Sequence, residues 1–515
     1  MLICQAGQLI YNNGEEILLK AHFSSMFHRY FKGALPVLLG LLLLPALQAT
    51  GFAAAGGDDA ARSIPLWLVI PFAGILLSIA LGPLVNIHWW EHNQAKVSLF
   101  WALAFFLPYT MLFGFSSALY ASLHIYVIDY IPFIILLGGL FVISGGIVLR
   151  GSLKGTPLFN TILILIGTVL ASLVGTTGAS MLLIRPIIRA NEFRKAKMHT
   201  IIFFIFLVSN IGGSLTPLGD PPLFLGFLHG VPFFWTLKLF WPFLFCTTLL
   251  LIIYYAVDSR YYRKEPIQAE TSDCGSEEKE KISIGGLVNF VLLGGVITAI
   301  VLSGTYSKHP LFFDAAHNNY TGISLMTEHG HTLVFPYINL LRDGFILLMA
   351  VLSLKLTPAG AREANHFTWG PIKEVAILFA GIFLTIVPPM AILQARGSEL
   401  GVTQAWQFFW ATGILSSFLD NAPTYLTFLS VATGLGATTG VVTDMGIVPE
   451  HILLAISCGA VFMGANSYIG NAPNFMVKSI AEENQIKMPS FFGYMAWSCA
   501  ILIPTFAAMT LIVFL

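Results

Sequence analysis

The sequence is short of charge. Of 515 residues only 10% are Asp, Glu, Lys or Arg, and their signs cancel to a formal net charge of zero. Such a balance offers no basic field to a nucleic acid. Cysteine is scarce as well. Cys4, Cys246, Cys274, Cys458 and Cys499 show no CxxC spacing, which argues against a zinc site and against a disulfide framework. Cys246, Cys458 and Cys499 sit in apolar runs, as small core residues do. No polar stretch is long enough to form a sizeable soluble domain, so a receptor or scaffold is a weak reading. What is present is apolar. The chain is 56% hydrophobic with a mean hydropathy of +0.79, which is the composition of a polytopic membrane protein.

From Met26 the pattern is that of an export signal. His28, Arg29 and Lys32 precede the apolar run Gly33–Ala46, and Ala53-Ala54-Ala55 follows. An uncleaved first helix is the alternative. Apolar segments then fall at about 66–86, 97–117, 131–149, 158–190, 199–227, 233–257, 284–304, 336–357, 372–394, 404–437, 450–477 and 492–515. Two of them, 158–190 and 404–437, are too long for one crossing. Each holds a polar break, at Gly175-Thr176-Thr177-Gly178 and at Asp420-Asn421-Ala422-Pro423-Thr424, so each reads as a re-entrant hairpin.

The positive-inside rule fixes the threading. Arg150 and Lys154 place the loop before the first hairpin inside. Arg185, Arg189, Arg194, Lys195 and Lys197 place the loop after it inside too. The linker 258–283, with Lys264, Lys279 and Lys281, is inside. The loop 305–335, carrying His309, His317, His329 and His331, is outside. Arg362 and Lys373 bring the chain back, so the second hairpin opens from the outside, and Lys478 and Lys487 end the next crossing inside.

The stretch Ser209–Pro222, SNIGGSLTPLGDPP, interrupts the 199–227 segment. A spanning helix must satisfy its own backbone, and proline removes a donor. This helix is therefore broken at membrane depth, with the carboxylate of Asp220 in the break, and intramembrane ionisable residues are functional by default. Thr216-Pro-Leu-Gly-Asp-Pro-Pro-Leu-Phe224 lies over Ser467-Tyr-Ile-Gly-Asn-Ala-Pro-Asn-Phe475, 251 residues on. Thr176–Ser180 lies over Asp420–Thr424, 244 residues on. The expected fold is thus an all-α polytopic membrane protein with two inverted-topology repeats, each with a re-entrant hairpin and a broken transmembrane helix. The expected division is 1–55 as N-terminal extension, 64–257 as repeat 1, 258–283 as cytoplasmic linker and 284–515 as repeat 2.

Broken helices expose N–H groups that attract anions and carbonyls that coordinate Na+. The neutral oxygens of Thr, Ser and Asn suit that hard cation. The expected site gathers Thr176, Thr177, Ser180, Asn210, Thr216 and Asp220 from the first half. From the second it gathers Asp420, Asn421, Thr424, Asn466, Ser467, Asn471 and Asn474. Any single Ser or Thr is more often helix-packing glue; the clustering at four matched breaks tips the balance. Asp220 and Asp420 are the proton-linked groups, since Na+ and H+ competing for one carboxylate yields exchange. No Lys or Arg falls within the four breaks, which favours a cation as cargo, although helix N-termini also hold carboxylates unaided.

Ser209–Pro222 resembles the motif of the ion transporter superfamily, in the branch of arsenite permeases, NhaD-type sodium/proton antiporters and CitMHS-like citrate transporters. Asp420-Asn-Ala-Pro-Thr424 resembles the second-half signature of that branch, and Lys373-Glu-Val-Ala-Ile-Leu-Phe-Ala-Gly-Ile-Phe383 resembles the helix before it. The likeness covers about 65–515. The first hairpin departs from it, with Gly175-Thr176-Thr177-Gly178 where many relatives carry Asp-Asn. The resemblance implies a secondary active transporter with an elevator-like motion, often a homodimer. The expected activity is sodium/proton antiport in the inner membrane. The alternative is Na+- or H+-coupled uptake of citrate or a similar carboxylate. No cofactor is expected beyond Na+ and H+ as transported or coupling ions; the partners are the small solute and the lipid bilayer. A remote alternative is a metallohydrolase built on His88-Trp-Trp-Glu91-His92, which has H-x-x-E-H spacing but falls in a predicted loop, where paired Trp and His read as an interfacial belt. His329-Gly-His331 reads as a solvated loop rather than a metal site.

Overall fold

The computed structural model describes residues 64–150, 154–265, 283–314, 319–328, 330–365 and 367–515. The export-signal pattern, most of the 258–283 linker, His317 and His329 lie outside the described residues.

Helix α1 (Ile70–Phe113) runs on from a 3-10 turn at Leu66–Val69. The sequence reading places two segments here with a loop between. The structure has the two helical arms, Leu66–Pro83 and His88–Phe113, joined by a short turn at extended Asn86 (φ −159°, ψ 99°), so that Trp101 reaches back to donate to Ser78 at 3.0 Å. Pro83 stands at the end of the first arm, where its missing N–H and its ring disfavour carrying the helix on. His88, Glu91 and His92 therefore lie on a helix rather than in a loop. Gly114, at φ +86°, ends α1 in a conformation that side chains resist. Helix α2 (Phe115–Ile125), a π-helical turn (Tyr126–Tyr130) and α3 (Ile131–Ser144) then make one continuous span, Phe115–Ser144. The expected connection between 117 and 131 is thus helical. Its most polar residue, Asp129, is paired inside the fold and does not mark a surface loop.

Strand β1 (Val148–Arg150) leads to α4 (Pro157–Val174) and α5 (Thr176–Ala190), the packed arms of the first hairpin. The Thr156 hydroxyl caps α4 by accepting from the Phe159 N–H at 3.3 Å. Gly175, at φ +82°, turns the chain between the arms. Helix α6 (Met198–Leu207) stops at the predicted break. A 3-10 turn (Ile211–Leu215) and extended backbone through Thr216 and Asp220 follow, before α7 (Pro221–Leu228) restarts with Pro at its first positions. Helix α8 (Phe240–Tyr262) closes the half and extends past the predicted end at 257.

Strand β2 (Ser283–Gly285) pairs antiparallel with β1, joining the two halves. Helix α9 (Val288–Thr305), the ribbons β3 (Phe313–Asp314) with β4 (Asn319–Tyr320) and β5 (Gly322–Glu328) with β6 (His331–Pro336), α10 (Tyr337–Leu356) and α11 (Ala359–Ala364) follow. Helices α12 (Gly370–Thr385) and α13 (Val387–Arg396) are bent by 44° at their junction. The second hairpin is α14 (Ala405–Phe418) and α15 (Asn421–Thr433), followed by the ribbon β7 (Val441–Thr443) with β8 (Gly446–Val448). Helix α16 (Glu450–Met463), a 3-10 turn (Gly464–Asn466), α17 (Ala472–Glu483) and α18 (Phe491–Val513) complete the chain.

Nine helices among the described residues are long and apolar enough to cross a bilayer. The protein is an all-α polytopic membrane protein whose strands, among the described residues, lie in two-stranded ribbons. The outer helices expose apolar faces, as Leu99, Leu103, Leu107 and Met111 do on α1, which is the pattern of side chains meeting lipid. The broken helices instead occupy the centre. Every residue from Thr200 to Ser214 and from Ala455 to Tyr468 is buried. Irregular backbone at membrane depth requires that position, because lipid offers it no hydrogen bonds.

Candidate functional site

The two breaks are built alike. At each, the extended backbone crosses the preceding 3-10 turn so closely that a side chain is excluded. A Cβ on Gly219 would meet the Gly213 carbonyl oxygen at 2.1 Å, and one on Gly470 would meet the Gly464 oxygen at 2.5 Å. The hairpins clamp these crossings through one serine each. Ser172 donates to the Gly212 carbonyl at 2.5 Å, and its own carbonyl accepts from the Thr216 hydroxyl, which in turn accepts from the Leu218 N–H. Ser417 donates to the Met463 carbonyl at 3.1 Å, and its carbonyl accepts from Ser467, which accepts from the Ile469 N–H. Helices α5 and α15 begin at Thr176 and Asn421, with Gly175 and Asp420 as their N-caps. The structural match is therefore Gly175 over Asp420, one residue from the pairing of Thr176 with Asp420 read in the sequence.

All four breaks converge on Asp220, which is 1% exposed. Its Oδ1 accepts from the Thr176 hydroxyl of the first hairpin at 2.8 Å and from Asn471 Nδ2 of the second broken helix at 3.0 Å. Its Oδ2 accepts from Asn421 Nδ2 of the second hairpin at 2.5 Å. A buried carboxylate needs such donors, and here they come from three separate elements, all neutral. Behind this cage, Asn210 donates to Asn474 Oδ1 at 2.7 Å, and Asn471 also reaches the Ser209 carbonyl at 3.1 Å. Asn474 donates to the Gly464 and Ser467 carbonyls, both at 2.9 Å. Ser180 and Ser209 share a bond of 2.8 Å.

The remaining expected residues have other duties. Thr216 and Ser467 hold the crossings. Thr424 turns its hydroxyl to the Asp420 carbonyl at 2.8 Å. Asp420 is half-buried and caps the Ala422 N–H at 3.1 Å, outside the hydrogen bonds of the cage. Asn466 Nδ2 donates to Ser417 at 2.9 Å. Thr177 lines a cavity of ≈ 60 Å³ with Gly175, Gly178, Gly219, Pro221 and Ala472, at the N-terminal ends of α5, α7 and α17. Ser172 and Ser417 form the clamps and were not singled out in the sequence, because a Ser in an apolar run carries no signal.

Two buried carbonyl oxygens, Asn421 Oδ1 and Asn466 Oδ1, have no hydrogen-bond partner among the described residues. The orphaned oxygen of Asn421, whose amide nitrogen bonds to Asp220, fits a hard cation such as Na+. By contrast, the ring of His92 turns to the His88 carbonyl at 2.8 Å, and among the described residues no group of three His, Cys, Asp or Glu is placed to hold a metal ion.

A family model described as "Putative citrate transport" matches residues 61–514. No curated protein matches the chain.

Proposed function

The chain belongs to this citrate-transport family, and from that premise we propose that it is a secondary carrier in which a cation held at Asp220 is coupled to the passage of a small carboxylate. The single observation that carries the reading is the convergence of Thr176, Asn421 and Asn471 on the one carboxylate of Asp220. Elements from both hairpins and both broken helices share that carboxylate, so a cation arriving there acts on all of them together. In this reading the two halves are threaded in opposite directions through the membrane, as the positive-inside rule predicts. Na+ takes Asp220 with the free Asn421 oxygen; a proton takes Asp220 itself. The carboxylate cargo sits at the cavity between Gly175 and Ala472, where the helix N-termini of α5 and α17 offer a favourable dipole.

Sodium/proton exchange is the second reading, and it rests on a specific observation: among the described residues each side chain that bonds to Asp220 is neutral, with no Lys or Arg to balance an anion there. Proteoliposomes with a pH dye inside separate the two. Labelled citrate taken up under an imposed Na+ or proton gradient, and lost in Asp220→Asn, supports the carrier. A pH gradient dissipated by Na+ alone, with citrate immobile, replaces it with exchange. Citrate uptake undiminished in Asp220→Asn removes Asp220 from the mechanism.

A further inference from the structure

Away from the cage lies a second ionisable cluster, centred on the buried His229. This residue caps the C-terminus of α7 and is 4% exposed. Its Nδ1 stands 2.9 Å from Asp444 Oδ1 and 3.1 Å from Oδ2, in the turn between β7 and β8. The Asp444 N–H also donates to the His229 carbonyl at 3.1 Å. On the other side of the ring, Nε2 stands 3.0 Å from Oδ1 of Asp129, in the π-helical turn. Asp129 is 1% exposed, and neither of its oxygens makes a hydrogen bond of good geometry among the described residues. His229 is thus its close polar neighbour.

A neutral imidazole has one N–H and one lone pair. Here each ring nitrogen faces a carboxylate. With either tautomer, a lone pair is directed at a negative oxygen, and a buried unpaired carboxylate is strongly unfavourable. One added proton, on the ring or on Asp129, removes the conflict. Burial alone pushes the Asp444 carboxyl up, but the facing ring outweighs it and leaves that carboxyl below its usual range. The other titratable groups that face the cluster are His124 on α2 and Tyr320 on β4. π-helical turns in otherwise regular helices are frequent at functional sites.

We propose that His229, Asp129 and Asp444 form a proton-binding site, separate from the Asp220 cage, that fastens the β7–β8 ribbon to α7 and the π-helical turn while the proton is held. The position gives the site a reach beyond itself. Asp220 is the N-cap of the helix that His229 ends, and Asp444 follows the hairpin arm whose first residue, Asn421, holds Asp220. Losing the proton loosens the far ends of two elements that build the cage. The proposal does not rest on which solute is carried.

The test is hydrogen exchange of the full chain in lipid nanodiscs at about pH 6 and about pH 9, on either side of the imidazole range, corrected for intrinsic exchange. Peptides covering 441–448 exchange on the order of tenfold faster at the higher pH, as expected for loss of a charge-assisted contact. His229→Gln, which keeps hydrogen-bonding groups but does not titrate, abolishes that step. Asp444→Asn, at a half-exposed side chain in a turn, abolishes it as well and serves where the buried variant does not fold. Equal protection at the two pH values in the native chain overturns the proposal. So does a full step retained in either variant.

Discussion

At the first crossing Ser172 takes the Gly212 carbonyl and offers its own to Thr216; at the second Ser417 does the same for Met463 and Ser467. Asp220 and Asn471 then occupy the same place, both extended and both N-cap to a helix that starts with proline at its first positions. Yet one is a carboxylate and the other its amide. At the hairpin tips the charge is reversed, with Gly175 in the first half and Asp420 in the second. The backbone arrangement is repeated, and the ionisable groups are distributed once across the pair. Sterics and backbone hydrogen bonding must be met at both crossings, because neither can be left unsatisfied away from water. Charge is needed where a cation binds, and a second buried carboxylate 3.0 Å from the first would repel it.

The strongest way to break this comparison is through the glycines. Gly219→Ala and Gly470→Ala each drive a methyl into backbone, at 2.1 Å and 2.5 Å from a carbonyl oxygen. Backbone in a crossing cannot move aside as a side chain can, so the penalty lies at or above the upper end for overpacking, about 3 kcal/mol. Both variants are expected to lose the monodisperse peak in size-exclusion chromatography in mild detergent. If one folds and the other does not, the two crossings differ in rigidity despite their matched bonds.

Next in size is the charge itself. Asp220→Asn is expected to fold, since the amide is isosteric and its neighbours are amides and a hydroxyl, and to reduce cation-driven transport to background. Asn471→Asp in that variant moves the charge across a single hydrogen bond. Transport recovered above the single variant shows that the two places are interchangeable. No recovery shows that the asymmetry is part of the mechanism. A smaller effect is expected from Thr176→Val, which removes one of three donors to Asp220 and leaves the others. A hydrogen bond to a charged group contributes about 1.5–3 kcal/mol, so apparent affinity for the coupling cation changes by about tenfold or more, read as the cation dependence of uptake.

The breaks and hairpins were legible because proline, glycine and polar residues in apolar runs violate the rules of a spanning helix, and each violation needs a local cause. Asn210, Asp220, Asn421, Asn471 and Asn474 were legible for that reason. Contacts that cross the fold were not. Asp129 reads as a loop residue until His229 is placed beside it, 100 residues on. Asp258 reads as the start of a linker, but it is fully buried, 2.6 Å from Arg194 and 2.7 Å from His199, and it accepts from Asn160 and Tyr254. The matching place on α18, 251 residues on, is Met509, packed against Cys246. That end of the first half is therefore tied by charge and the second by apolar packing, a difference that neither run of sequence reveals alone.

The smallest effect belongs to the rim, where the halves also touch. Lys238, in the turn before α8, pairs with Glu450, in the first turn of α16, at 2.5 Å, but the two side chains are 49% and 56% exposed. Water and salt screen such a pair, and ordering two long side chains opposes it, so Lys238→Met is expected to change stability by less than about 1 kcal/mol. Transport should stay within twofold of the native rate, and that ratio should not depend on ionic strength beyond the native chain's own dependence. The same two halves are thus joined by Asn421 and Asp220 in the dry centre and by Lys238 and Glu450 at the wet edge, at the same 2.5 Å separation. If the rim variant lost as much as Thr176→Val, burial would not be what gives the Asp220 cage its strength, and coupling would have to run through the surface contacts between the halves.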